Sequence, residues 1–139
     1  MANDLYGAMT ISAHGMKAQS NRVRVIAENM ANASTAANSP DEDPYTRKII
    51  TFKNAMDRNA GMELVNVDKI QEDTKNPFVL KYNPDHPGAN AQGYVKMPNI
   101  DPIIETMDMR EAQRSYEANL GMIDQSKTMI MQTIDLLRK

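Results

Sequence analysis

Asp85 and His86 are the nearest this chain comes to a catalytic pair. A carboxylate beside an imidazole can relay a proton or offer two ligands to a metal. They lie in Asn83-Pro84-Asp85-His86-Pro87, a turn-rich run that reads as a solvated loop. Structural and catalytic metal sites need three or four protein ligands. The other histidine, His14, lies far away with Lys17 about one helical turn on. Asp108 and Glu111 share a helical face, and two carboxylates at that spacing read most simply as a wet surface. The sequence holds no cysteine, which excludes disulfides, thiolate metal sites and thiol chemistry. Neither a glycine-rich phosphate loop nor a nucleophile motif is present. The expectation is a protein with no catalytic residues, no cofactor, no metal site and no small-molecule substrate.

The chain's pattern is organised at its two ends. All seven prolines fall between Pro40 and Pro102. Before them, large apolar residues recur every seventh position at Met9, Met16, Val23 and Met30, with Ile26 on the same stripe. After them the spacing repeats at Met109, Tyr116, Ile123, Ile130 and Leu137. A seven-residue repeat draws one narrow stripe along a helix, as in coiled coils. The first helix is expected from about Leu5 to Ala33, capped by Asn3 or Asp4, and would be roughly 45 Å long. The second is expected from Ile103 to Lys139, with Asp101 as N-cap, Pro102 at the first helical position and Arg138 and Lys139 complementing the dipole. Small or polar residues alternate with the large ones on both stripes: Ser12, Gln19, Asn119, Ser126 and Thr133. Such residues fix register at a cost in stability. Asn119 is expected to bond a backbone or a polar group on a neighbouring helix, and Ile123 and Ile130 to be buried.

Between the helices, Tyr45–Phe52, Met62–Val67 and Phe78–Leu80 carry strand signals, and Tyr82–Gly93 reads as a loop. The fold class is mainly α with a small β part. Long antiparallel terminal helices form a coiled-coil-like domain over 1–35 and 101–139, and a β-containing outer domain covers 36–100. The sequence has 12 methionines, two phenylalanines and no tryptophan, which leaves the middle a modest core. Methionine re-packs readily against different neighbours. The net charge of −2 gives no basic footprint for nucleic acid. No apolar run reaches membrane-spanning length, and the N-terminus lacks the layout of a cleaved signal.

Two segments resemble a known family. Asn29-Met30-Ala31-Asn32-Ala33-Ser34-Thr35, followed by Tyr45-Thr46-Arg47-Lys48, resembles the N-terminal signature of bacterial flagellar rod and hook proteins. The nine residues Ala36–Pro44 between them bring the spacing closest to the proximal rod type. Gly93-Tyr94-Val95, Pro98-Asn99-Ile100, Glu105, Met107-Asp108-Met109 and Arg114-Ser115-Tyr116-Glu117-Ala118-Asn119 resemble its C-terminal pattern. The resemblance implies a structural subunit of the flagellar basal-body rod. Its partners would be copies of itself, other rod proteins and the flagellar type III export apparatus. It would sit in the periplasm, reach it without a cleaved signal, and line a central channel with its terminal helices. The stripe residues, with Asn29, Asn32, Thr35, Tyr45, Arg47 and Asn119, are then the expected subunit contacts. A self-contained helical-hairpin binding module, such as a chaperone or adaptor, is the competing reading.

Overall fold

A computed structural model of the chain describes residues 2–57 and 61–138. The element order is α1 (Ala2–Asn32), β1 (Lys48–Asp57), β2 (Met62–Glu72), β3 (Val79–Tyr82), β4 (Tyr94–Met97) and α2 (Pro102–Leu137). Both long helices lie in the proline-free ends, as their periodicity requires. α1 already includes Ala2, so Asn3 and Asp4 fall in its first turn rather than at its cap. The cap of α2 is as expected: the Ile103 N–H donates to Asp101 Oδ1 at 2.9 Å. α2 ends at Leu137, so Arg138 follows the helix instead of closing it, and Lys139 lies outside the described residues.

The strands are shifted from their sequence positions. β1 starts at Lys48 rather than Tyr45, because the Tyr45 and Arg47 side chains are held by polar partners described below. β2 runs on through Asp68–Glu72, polar but for Ile70. Cross-strand bonds hold it there: Lys53 Nζ pairs with Asp68 at 2.9 Å, and the Thr51 hydroxyl donates to Lys69 O. β1 pairs with β2 in one two-stranded sheet and β3 pairs antiparallel with β4 in another, Tyr82 facing Tyr94. β4 has no counterpart among the expected strands, and Phe78 lies outside β3.

The chain forms two compact units, and both helices contribute to each. The first takes the chain up to Val23, Thr51–Lys69, and from Arg110 on. Within it the helices run antiparallel. Arg22 pairs with Glu111 at 3.7 Å, Gly15 faces Asn119, and Leu5 and Tyr6 lie beside Met129–Leu137. β2 lies along α1, with Val65–Val67 beside His14–Asn21 and Met62 against Gly7.

The helices of this unit bury small residues rather than the expected large ones: Ser12, Ala18, Ala112 and Ser126, with Gly7 held against Met62 of β2. The large stripe residues Met9, Met16, Val23, Ile123 and Ile130 are half-buried, and Tyr116 and Leu137 are exposed. Interaxial distance depends on the side chains at the contact. Here the helices come close enough that a Cβ on Gly15 would stand 2.8 Å from Asn119 Oδ1. Large residues have no room between the backbones and are displaced to the flanks. Asn119 bonds a backbone group, but in its own helix: its amide donates to Ser115 O at 2.8 Å. Among the described residues, His14 Nδ1 and Gln19 Oε1 are shielded from solvent and have no hydrogen-bond partner.

The second unit takes Arg24–Ile50 and Ile70–Met109. Its apolar core is Val25 and Ile26 of α1 with Ala37, Val95 and Ile100. Its two largest fully buried side chains are polar, Glu105 and Asn29.

Candidate functional site: a buried polar clasp

Asn29 projects from the last turns of α1 and is 1% exposed. Its amide uses all four hydrogen-bonding positions. Nδ2 donates to Lys48 O at 2.9 Å and to Glu105 Oε2 at 3.1 Å. Oδ1 accepts the Lys48 N–H at 2.9 Å and the Tyr45 hydroxyl at 3.1 Å. One side chain thus satisfies both backbone groups of Lys48, as a neighbouring strand would, and fixes where β1 begins. An amide has two donors and two acceptor sites, which a carboxylate or hydroxyl lacks in that combination.

Glu105, 0% exposed, answers from the first turn of α2. Its second oxygen, Oε1, accepts Arg47 Nε–H at 2.6 Å. Two more carboxylates reach the same guanidinium: Asp73 at 3.9 Å and Asp108 at 3.7 Å. A full charge this deep is tolerated only when paired and hydrogen-bonded. Around Arg47 the backbone is also tied. Its N–H donates to Asn99 Oδ1 at 2.8 Å, and its carbonyl accepts the Asp73 N–H at 2.7 Å. Asn99 Nδ2 then donates to the carbonyls of Asp73 and Asn76. The clasp gathers α1, the start of β1, the segment after β2, the segment before α2, and α2 itself.

The charges are tuned by these contacts. The side-chain amide of Asn76, 2.6 Å away, holds the Asp73 carboxyl below its ordinary range. The N–H groups of Lys75 and Asn76 and the Arg47 charge act in the same direction, against burial. Burial pushes the Tyr45 phenol up, and the Lys48 charge partly offsets it. A hydrogen bond to Glu28 at 3.0 Å raises the Lys48 amine, which also lies 5.7 Å from the Tyr45 ring centre. Asp73, with its pKa lowered on folding, stabilises the unit above the ordinary carboxylate value of about 4 and stops doing so as pH falls through the lowered value. Denaturant midpoints measured from pH 7 to pH 3 should therefore decline in acid. Asn76→Ala, which removes the main cause of the shift, should flatten that decline.

Of the expected contact residues, Asn29, Tyr45 and Arg47 come together in this clasp. Asn32 remains in α1, its amide bonded to Glu28 O, and Thr35 is exposed. Ile26 is buried, Met109 half-buried and Met30 exposed. Sequence reasoning did not single out Glu105, Asp73 or Asn99 as site residues. A signal for Glu105 existed: it stands seven residues before Ala112, in phase with Asn119 and Ser126 on the small-residue seam. His86 is half-buried, and its Nδ1 accepts the Gly88 N–H at 3.0 Å, a contact that shapes the β3–β4 loop. Among the described residues, no group of three or more His, Cys, Asp or Glu side chains is placed to hold a metal ion; the three carboxylates of the clasp surround a guanidinium instead. The clasp contains no reactive pair and no vacant ligand position. It can hold a chain path and little else.

A family model described as flagellar basal body rod FlgEFG protein C-terminal matches residues 91–136, which take in β4 and almost all of α2. The flagellar basal-body rod protein FlgC of Agrobacterium fabrum is 45% identical over 134 residues, covering 96% of each chain. The FlgC protein of Aquifex aeolicus is 38% identical across 95% of this chain and 96% of its own. That of Salmonella typhimurium is 37% identical across 95% and 97%. Identity at this level over nearly the whole length, on a fold whose polar centre is structural, places the chain in the FlgC family of flagellar basal-body rod proteins, which are structural subunits and not enzymes.

Proposed function

We propose that this rod subunit packs helically with copies of itself and with other rod proteins, using the outer sides of its terminal helices. In this reading residues 1–35 and 101–139 form the axial layer around a central channel, and residues 36–100 form the outer part. The subunit reaches the periplasm through the flagellar type III export apparatus, without a cleaved signal. The observation that carries the proposal is the unclosed stripe. The helices approach closely where Gly15 faces Asn119 and bury only small residues, Ser12, Ala18, Ala112 and Ser126, while Met9, Met16, Val23, Ile123 and Ile130 are half-covered and Tyr116 and Leu137 exposed. Large exposed apolar patches mark association sites. The clasp sets the path of residues 45–48 and 99–105, from which neighbouring subunits would be met.

Ile123→Asp tests the proposal. A carboxylate in a contact closed by neighbours would be an unpaired buried charge. Cells whose own rod protein is replaced by this variant should export it, build no complete rod and fail to swim. Normal rods and motility with Ile123→Asp would refute the proposed use of the stripe.

A further inference from the structure

One face of α1 turns polar residues toward β2. His14, Lys17, Ala18 and Asn21 recur at helical spacing and, with Val65, Asn66 and Val67, line a cavity of about 320 Å³. One water takes about 30 Å³ of liquid, so the space holds a small ligand together with water. All of these residues belong to the first compact unit. Asn66 stands on the same strand face as the buried Leu64, two residues earlier, so its half-buried amide is on the inward side of β2.

The cavity gathers donors without matching acceptors. Among the described residues, the Lys17 ammonium and the Asn66 side-chain amide make no hydrogen bond or ion pair. His14 Nδ1 is shielded from solvent and unbonded, which leaves Nε2 as the ring nitrogen that can meet a ligand. Asn21 is already engaged, its Nδ2 donating to Lys17 O at 2.9 Å. Among the described residues no carboxylate lines the cavity. Asp68, two residues past Asn66 on the same strand face, is held by Lys53 at 2.9 Å. An ammonium, an imidazole N–H and an amide N–H share one complement: an oxygen that only accepts, best one carrying negative charge. A purely structural residue at position 14 would not leave a nitrogen buried and unbonded, which costs the fold stability.

We infer that this cavity is a binding site for an oxyanion of the carboxylate or phosphate class, held by the Lys17 ammonium, the Asn66 amide and His14 Nε2. The oxyanion has two sources, a free ion or a carboxylate side chain of an adjoining copy. The site itself is independent of the rod reading, and only the second source rests on the proposed helical packing. Carboxylates for that source exist: Glu117, Asp124 and Asp135 are exposed on α2 and unpaired among the described residues.

The full chain carries two histidines, and His86, in the β3–β4 loop, serves as the control. Both imidazoles are followed by nuclear magnetic resonance in the dilute full chain while inorganic phosphate, and separately acetate, is added at constant pH and ionic strength. His14 should move saturably in the millimolar range and His86 should not. Lys17→Gln, at an exposed helical position, should weaken binding about ten-fold, the loss of one charge-assisted bond. No saturable shift at His14, equal movement of both rings, or binding unchanged in Lys17→Gln would overturn the site and leave the rod reading, tested by Ile123→Asp, standing. Raising the subunit concentration with no anion added separates the two sources. A His14 shift that grows with concentration and is displaced by phosphate assigns the site to a neighbour's carboxylate. Its absence, with phosphate still binding, assigns the site to a free ion.

Discussion

Glu105→Ala should destabilise the chain by about 3–5 kcal/mol, the usual cost of removing one partner from a buried ion pair. Glu105 is 0% exposed and binds the Arg47 guanidinium and the Asn29 amide through separate oxygens. Its loss leaves a guanidinium nitrogen and an amide donor facing a cavity. Asp73 and Asp108 cannot take over, because they lie 3.9 and 3.7 Å from the other guanidinium nitrogens. Asp108→Ala supplies the contrast. That residue sits at the surface end of the cluster, and exposed pairs contribute at most about 1 kcal/mol. Urea unfolding of the two variants separates the cases. Equal effects would mean that the clasp is an ordinary surface network.

Asn29→Asp should be nearly as damaging despite being isosteric. The carboxylate cannot donate to Lys48 O or to Glu105, and it places a second negative charge about 3 Å from Glu105 Oε2. Unsatisfied buried groups cost about 1–3 kcal/mol each, and like charges at this distance resist joint ionisation. The loss should be at least about 3 kcal/mol at pH 7 and should shrink in mild acid, where the pair can hold a proton. The path of residues 45–48 should loosen first, visible as faster amide exchange at Lys48. Wild-type stability in Asn29→Asp at pH 7 would show that the amide is replaceable.

The helices were legible because their signals are local. Proline confinement, the seven-residue repeats and the Asp101-Pro102 start each follow from backbone geometry. The direction in which the stripe faces was not legible. Periodicity locates a stripe, but whether its large or small members face the partner depends on how closely the helices approach. Gly15 and Ala112 permit an approach that leaves Ile123 and Ile130 on the flank. The clasp was half legible. Asn29, Tyr45 and Arg47 were marked by the family resemblance as contacts with other subunits, yet each is first a contact within the chain. Glu105 and Asp73 lie 58 and 26 residues from Arg47, and no local pattern links them. β1 departs from its β-branched signal for the same reason, since the polar partners of Tyr45 and Arg47 outcompete strand pairing at its start.

Electron cryomicroscopy of basal bodies from cells carrying this chain in place of their own FlgC protein tests the central claim most directly. The account predicts subunits in the rod wall, their α1–α2 pairs in the inner layer and the stripe of Met9, Met16, Val23, Ile123 and Ile130 covered by adjoining subunits. Rods lacking the chain, or rods in which both helices face open solvent along that stripe, would contradict it.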